Sequence, residues 1–166
     1  MRLFGRVWIL GDDINTDLLA PGQYMRLPSA ELAAHCLEAI RPDFAHNVQN
    51  GDMILAERGF GIGSSREQAA EALVALGIRA VIAKSFGGIF QRNAFNLGLM
   101  CLACPTLETS QLKEGEQAEL DTQSGILHVA AQRFHCEVLP DFLVCMIANG
   151  GLIPHLMQGK VKDITR

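Results

Sequence analysis

The chain has 166 residues, of which 49% are hydrophobic and 19% are charged, and its formal net charge at pH 7 is −4. This length predicts a single domain over residues 1–166 with its own core, and the acidic balance excludes the cationic surface that holds a nucleic acid backbone. No apolar run approaches the roughly 20 residues that span a bilayer, and the first ten residues lack a signal-peptide core. We therefore expect a cytoplasmic protein.

Strands and helices are predicted to alternate along the first two thirds of the chain. The β-forming run RLFGRVWIL leads into the turn-rich segment GDDINTD. After it we expect a helix from Ser29 to about Ile40, a strand in GDMILAE, a helix in REQAAEALVALG, a strand in IRAVIAKSF, a helix in GGIFQRNAFNLG and a strand in LMCLACP. This alternation is typical of an α/β domain.

The last third of the chain adds different elements. Ser124 and Gly125 lie between two short β runs and predict a hairpin. Pro140 fits the first turn of a final helix in DFLVCMIANGG. A hairpin beside strand–helix alternation predicts a mixed sheet.

Five cysteines are present, at Cys36, Cys101, Cys104, Cys136 and Cys145. Most lie in apolar stretches, and we expect them to be reduced and buried. The spacing Cys101-x-x-Cys104 also occurs in metal and redox sites, but no second pair stands at zinc-ribbon spacing. We expect no metal in this chain.

The segment GFGIGSSREQAA, residues 59–70, has the composition of an anion site. Its glycines permit positive φ, and a capping box fits either Ser64 with Glu67 or Ser65 with Gln68. The N–H groups at the start of the following helix, together with the Arg66 guanidinium, would bind a carboxylate or phosphate. A capped helix after a tight turn explains the same spacing without a ligand.

Nucleotide binding has less support than binding of a carboxylate. The chain contains no G-x-x-x-x-G-K-[ST], and Ser64 stands where G-x-G-x-x-G requires its third glycine. A small carboxylate metabolite fits the segment at least as well.

Several spaced motifs resemble one known family. GDDINTDLLAPGQY, GFGIGSSREQAAEAL and AVIAKSFGGIFQRNAFNLGL follow one another within residues 5–103. In sequence and length the chain is similar to the small subunits of 3-isopropylmalate dehydratases, which correspond to the swivelling domain of the aconitases. The resemblance implies one swivel-type α/β domain with a mixed β-sheet or barrel flanked by helices.

The resemblance also implies the chemistry. Family members are hydro-lyases that isomerise 2-isopropylmalate and 3-isopropylmalate through a dehydrated intermediate in leucine biosynthesis, with a [4Fe-4S] cluster carried by a large partner subunit. It implies that Ser64 is the base, Ser65 a substrate-binding hydroxyl and Arg66 a carboxylate clamp. Asp17 matches a position at the edge of the active site, where it contacts substrate or braces the loop. Cys101 and Cys104 are then structural.

The substrate is less defined than the reaction. In the loop PGQYMRLP, Tyr24, Met25 and Leu27 suit an isopropyl group, whereas Arg26 suits an additional carboxylate unless it turns to solvent or to an acid of the protein. Gln68 replaces a histidine found in many members and is also seen in homoaconitases. Homoaconitase or another malate-type dehydratase is therefore the alternative, and a non-catalytic anion- or nucleotide-binding module is a further one.

The histidines are not assigned to the reaction. All five lie outside the matched motifs, and we expect surface or packing roles for them: His35, His46, His128, His135 and His155.

Overall fold

The centre of the molecule is a mixed sheet of seven strands in the spatial order β4-β3-β2-β1-β5-β6-β7. The computed structural model of the chain describes residues 1–164, with side chains through residue 159. The strands are β1 Arg2–Leu10, β2 Met53–Ala56, β3 Ala80–Ala83, β4 Met100–Ala103, β5 Gln117–Asp121, β6 Ile126–Val129 and β7 Gln132–His135.

The long first strand joins a parallel half of the sheet to an antiparallel half. The second part of β1 pairs in parallel with β2, with Val7 opposite Met53, and β3 and β4 continue this parallel half. The first part of β1 pairs antiparallel with β5, with Arg2 opposite Asp121, and β6 and β7 complete the meander. The hairpin predicted at Ser124–Gly125 is confirmed between β5 and β6.

The parallel strands are buried on both faces, which explains their nearly continuous apolar sequences. Successive side chains of a strand point to opposite faces. Ile54 and Ala56 of β2 therefore pack in one core cluster with the helices, whereas Met53 and Leu55 pack in a second cluster with the antiparallel strands. Both clusters are needed to cover the parallel half of the sheet.

The sheet curls so that its two ends approach each other. The N–H of Glu137, just after β7, donates to the carbonyl of Ala103 at the end of β4, with a distance of 2.7 Å. The predicted mixed sheet or barrel flanked by helices is thus confirmed as a curled half-barrel.

Seven α-helices flank the sheet in the described part of the chain: α1 Thr16–Leu19, α2 Ser29–Ala33, α3 Phe44–Asn47, α4 Gln68–Ala75, α5 Gly88–Asn96, α6 Asp141–Ala148 and α7 Leu152–Ile164. Short 3-10 turns lie at Gly22–Tyr24 and Thr109–Gln111. The helices predicted after the glycine-rich turn and before Gly98 are confirmed as α4 and α5.

The helix predicted from Ser29 to Ile40 is wrong beyond its first turn and a half. It ends at Ala33, and turns follow it. Leu37 adopts a positive φ of 62°, which an α-helix does not allow, and its N–H donates to Leu18 O at 2.8 Å. A tertiary contact thus replaces the helical hydrogen bond.

The carboxyl-terminal third differs from the prediction at two points. The strand β7 was not predicted, and α6 is followed by a further helix, α7. Pro140 is the N-cap of α6 and lies one position before its first turn. Among the described residues no single helix has the length and apolarity to cross a membrane; α6 and Leu152–Gly159 meet those criteria only as a pair bent by 94°.

Candidate active site

The predicted site residues lie at the carboxyl edge of the parallel strands. Asp17 lies in the short helix α1 that follows β1, the loop after β2 contains Ser64, and the loop after β3 leads into α5. Ligands of open α/β sheets bind at this edge because neighbouring strands deliver their loops to the same place. The fold therefore brings together segments that are about fifty residues apart in sequence.

The glycine-rich turn is held against both neighbouring loops. Its N–H at Gly61 donates to Ile14 O at 2.7 Å, and Ile62 O accepts the N–H of Thr16 at 2.8 Å. A Cβ on Gly61 would stand 2.2 Å from the ring of Phe90 in α5, and one on Gly63 would stand 2.9 Å from Thr16 Oγ1. Both positions also have positive φ, so glycine is required for this close approach.

The Ser64 hydroxyl is exposed and fixed by a buried threonine. Thr16, at 1% exposure, accepts the Ser64 N–H on Oγ1 at 3.0 Å, and the two hydroxyl oxygens lie 3.1 Å apart. Since Thr16 Oγ1 already accepts from the backbone, its own proton is free to be donated to Ser64 Oγ. A hydrogen bond of this kind favours the deprotonated form of its acceptor.

The predicted capping role of the two serines is wrong. Helix α4 begins at Gln68, its N-cap is Glu67, and no side chain caps it. The N–H of Ser64 donates to Thr16 Oγ1, and residues 64–66 lie before the start of the helix. The serine hydroxyls are therefore not occupied by capping.

Arg66 and Asp17 lie next to each other. Arg66 Nη1 donates to Asp17 Oδ1, and also to the carbonyl of Ala20 at 3.1 Å. Both contacts use Nη1, so Nε and Nη2 can still present two parallel donors to a carboxylate. Asp17 thus pairs with the guanidinium of Arg66 and links the segment after β1 to the glycine-rich turn, a contact that the sequence analysis did not foresee.

Ser65 faces solvent, and its main chain is anchored. Its carbonyl accepts a hydrogen bond from Asn93 Nδ2 in α5 at 3.3 Å, and Asn93 is 9% exposed. No hydrogen bond occupies the Ser65 hydroxyl within the part of the chain that the structure describes. The hydroxyl is consequently available to a ligand.

A shallow depression of about 170 Å³ opens beside Ser64 and is lined by the glycine-rich turn and by Gly87, Gly88 and Ile89. Gly87 is the N-cap of α5, and no side chain caps this helix. Unpaired N–H groups at a helix start attract negative charge. The sequence analysis placed Gly87 and Gly88 in the helix but did not predict that the start of α5 could attract an anion. The pair of glycines before the helix is the sequence signal for this role.

The ammonium of Lys84 is already paired with two carboxylates and is not available to bind an anion. Its ammonium lies 2.6 Å from Glu57 Oε2 and 3.2 Å from Glu108 Oε1. The hydrogen bond to Glu57 raises the pKa of Lys84. Desolvation would raise the pKa of Glu57, but the bonds from Lys84 and Thr109 outweigh it and hold that pKa low. Both groups stay charged and paired near neutral pH.

Arg26 is exposed on the turn after the 3-10 segment Gly22–Tyr24. No hydrogen bond or ion pair joins its guanidinium to another side chain among residues 1–159. The loop starts directly after Ala20, whose carbonyl is bonded to Arg66. Arg26 is thus on a segment linked to the site, but no hydrogen bond or ion pair joins its guanidinium to the other predicted residues among residues 1–159.

The described residues do not fit an iron–sulfur cluster. No three His, Cys, Asp or Glu side chains come together as a metal-binding group in the described part of the chain. Cys101 packs in the core beneath the helices, whereas Cys104 packs in the opposite core beside Cys136, whose hydrogen bond lowers the pKa of Cys104. Four of the cysteines are buried, and Cys145 is exposed, contrary to expectation.

Comparison with known proteins defines the class. The family model of the aconitase C-terminal domain matches residues 16–107, which include the loop after β1, the glycine-rich turn and α5. The chain belongs to this family, as the sequence motifs predicted.

Two relatives that match nearly the full length of the chain are small subunits of enzymes of this family. The chain is 44% identical over 152 residues to 3-isopropylmalate dehydratase small subunit 1 of Archaeoglobus fulgidus, covering 90% of this chain and 93% of that protein. It is 40% identical over 157 residues to the methanogen homoaconitase small subunit of Methanothermobacter thermautotrophicus, covering 93% and 90%.

A solved structure agrees with these relatives. The crystal structure of 3-isopropylmalate dehydratase from Methanocaldococcus jannaschii superposes with a TM-score of 0.90 at 38% identity, covering 99% of each chain. Within its family the chain is therefore a dehydratase small subunit of the aconitase-type hydro-lyases.

Proposed function

We propose that this chain, with a large subunit, isomerises 2-isopropylmalate and 3-isopropylmalate through a dehydrated intermediate, a reaction of leucine biosynthesis. The main support is the Ser64 hydroxyl, exposed at the carboxyl edge of the sheet and bonded to buried Thr16, in a chain 44% identical to a small subunit of that dehydratase. We further propose that residues 1–166 form one swivel-type domain and that the enzyme is cytoplasmic, in keeping with its free cysteines.

Ser64 is proposed as the group that takes and returns the carbon-bound proton. A serine is a weak base because its conjugate alkoxide is strongly basic. Three nearby features lower that cost: the hydroxyl of Thr16 3.1 Å away, the Arg66 guanidinium and the uncapped start of α5 at the depression. The same features are positioned before substrate arrives, which is the arrangement that stabilises developing charge.

Arg66, Ser65 and Asp17 are proposed to bind substrate carboxylates around that proton. The Nε and Nη2 edge of Arg66 provides a bidentate clamp, and the free Ser65 hydroxyl adds one donor. Asp17 acts mainly by fixing the Nη1 end of Arg66. An arginine oriented in this way loses less conformational entropy when the substrate binds.

We propose that the Lewis acid for the departing hydroxyl, a [4Fe-4S] cluster, is carried by the large subunit. The described residues of this chain offer no ligand set for it, and the relatives named above are small subunits. The exposed depression beside Ser64 would then be covered by the partner, so that the active site is completed between the two chains.

A tricarboxylate of the homocitrate type is the second candidate substrate. Arg26 supports it, because this exposed guanidinium lies on the segment that follows Ala20 and has no ion-pair partner in the described structure. The homoaconitase relative is 40% identical, close to the value for the dehydratase. Arg26 is proposed to bind the additional carboxylate if this substrate is the physiological one.

One experiment separates these possibilities. The chain is co-expressed with its large subunit, reconstituted anaerobically, and assayed with isopropylmalate, homoaconitate and citrate. Turnover of isopropylmalate with the highest kcat/KM supports the first proposal, and preference for a tricarboxylate supports the second. ATP binding by the chain, without turnover of any of these acids by the reconstituted pair, would instead support a non-catalytic module.

A further inference from the structure

The loop between Pro21 and Pro28 is anchored by an aromatic stack. The rings of Tyr24 and His35 lie almost parallel, at an interplanar angle of 14°, with centroids 3.6 Å apart. At this separation the faces of the two rings are in van der Waals contact. The pair joins the 3-10 turn of the loop to the turns that follow α2. Stacking of this kind restricts both side chains.

The histidine is itself held in place by an acid. His35 Nδ1 lies 2.7 Å from Glu38 Oε2. The hydrogen bond from His35 holds the pKa of Glu38 below its usual value, with smaller contributions from Tyr24 and Gln23. Glu38 therefore remains a carboxylate near neutral pH and orients the imidazole that supports Tyr24.

Both ends of the same loop are tied to elements of the site. At its start, Ala20 O accepts from Arg66 Nη1 at 3.1 Å. At its end, the Ser29 hydroxyl donates to Glu71 Oε2 of α4 at 2.6 Å. The stack of Tyr24 on His35 is the third attachment, in the middle of the loop and two residues from Arg26. Without it, the segment containing Arg26 keeps the attachments at its ends and the packing of Met25 against the core, but no attachment to the turns after α2 through Tyr24.

We propose that His35 is a positioning residue for substrate selection: by stacking on Tyr24 and bonding to Glu38, it fixes the loop that presents Arg26 to the substrate. This inference rests on the proposed function. His35 does not touch substrate, so its loss affects how the substrate is bound and chosen rather than proton transfer at Ser64.

The test uses the reconstituted enzyme with both subunits and the variant His35→Ala. We expect KM to rise about tenfold with kcat within about twofold, the scale of losing one stacked pair and one hydrogen bond. The ratio of kcat/KM between isopropylmalate and homoaconitate should change about fivefold or more. Hydrogen exchange of a peptide spanning residues 21–28, measured in the same enzyme, should become several-fold faster.

Two further variants make the test specific. His35→Phe keeps a flat ring against Tyr24 and should recover most of the exchange protection and the KM. His46→Ala, which removes an exposed histidine on α3, should leave all these quantities unchanged. If His35→Phe behaves like the alanine variant, the stacking role is overturned.

The outcomes also separate this inference from the proposed function. If the unmodified enzyme turns over neither substrate, the proposed function fails, and the selection role of His35 fails with it. If the unmodified enzyme is active and His35→Ala leaves the exchange rates or the substrate ratio unchanged, only the positioning role is overturned.

Discussion

Replacing Thr16 with valine tests whether the hydroxyl pair at the glycine-rich turn serves the reaction. Valine has nearly the same shape but neither accepts the Ser64 N–H nor donates to Ser64 Oγ. Because Ser64 is exposed, water can replace the lost partner of its N–H. The substitution therefore mainly destabilises the state in which Ser64 Oγ carries negative charge, because that oxygen loses a hydrogen-bond donor.

The structure sets the expected magnitude. The oxygens are 3.1 Å apart, at the long end of the range for hydroxyl hydrogen bonds, and Thr16 is 1% exposed. A hydrogen bond to a charged group contributes about 1.5–3 kcal/mol. At about 1.36 kcal/mol for each factor of ten in rate, Thr16→Val should lower kcat about 10- to 150-fold. KM should change little because the charge develops only during proton transfer.

The assay is steady-state turnover by the reconstituted pair, with thermal unfolding measured in parallel. Thr122→Val is the matched control, because Thr122 is also 1% exposed and its hydroxyl donates to Met1 O at 3.0 Å in the hairpin region. It should lose similar stability and keep its kcat. A folded Thr16→Val enzyme with kcat within about twofold of the original would refute the role of this hydrogen bond in stabilising charge.

Three other predictions follow from the site and from one buried acid. Ser64→Ala should lower kcat by about 10²–10⁴ with a modest change in KM, because proton transfer occurs only in the transition state. Arg66→Lys should also raise KM, because an ammonium cannot form the bidentate clamp. Steady-state kinetics separates the two effects, and near-normal kcat in Ser64→Ala would exclude this residue as the base. Arg26→Ala should reduce kcat/KM for a tricarboxylate relative to isopropylmalate by about tenfold or more; an unchanged ratio would show that Arg26 does not contact the distinguishing group. Desolvation acts to raise the pKa of Asp52, but hydrogen bonds from the Arg6 guanidinium, the Gln49 N–H and the Trp8 indole outweigh it and hold the pKa low. Asp52→Asn should therefore cost about 1–3 kcal/mol of unfolding free energy at pH 7. This difference should begin to shrink below about pH 4, where the carboxyl of the unfolded chain takes up protons while the native carboxylate, with its lowered pKa, stays ionised until the pH falls further. Urea unfolding at pH 7 and pH 3 checks it, and an equal difference at both values would contradict it.

The sequence determined the α/β class, the hairpin and the family. Apolar runs of four to nine residues separated by helical spacing predicted β1 to β4, α4 and α5, because burial on both faces requires such runs. The motif around Ser64 and Arg66 indicated a candidate site segment, because its glycines permit a close approach and its arginine suits a carboxylate, although a capped helix after a tight turn explained the same spacing.

Local patterns failed where a distant contact determines the conformation. The helix after Ser29 stops because Leu37 bonds to Leu18 across the fold. The two serines do not cap α4 because the helix begins only at Gln68, and the Ser64 N–H that a capping box would give to Glu67 donates to Thr16 instead. Propensity and capping rules include neither partner, because both lie outside the local window that such rules consider.

Only the tertiary structure showed which residues act together. Thr16 and Ser64 are 48 positions apart, and Asp17 and Arg66 are 49 apart. They meet because β1 and β2 are parallel neighbours whose loops leave the same edge of the sheet. His35, which the sequence placed outside every motif, contacts the loop between Pro21 and Pro28 for a similar reason: the turns after α2 fold back onto Tyr24. Sequence spacing specifies which side chains are available, but the pairing of strands and the packing of helices decide which of them are within hydrogen-bonding distance.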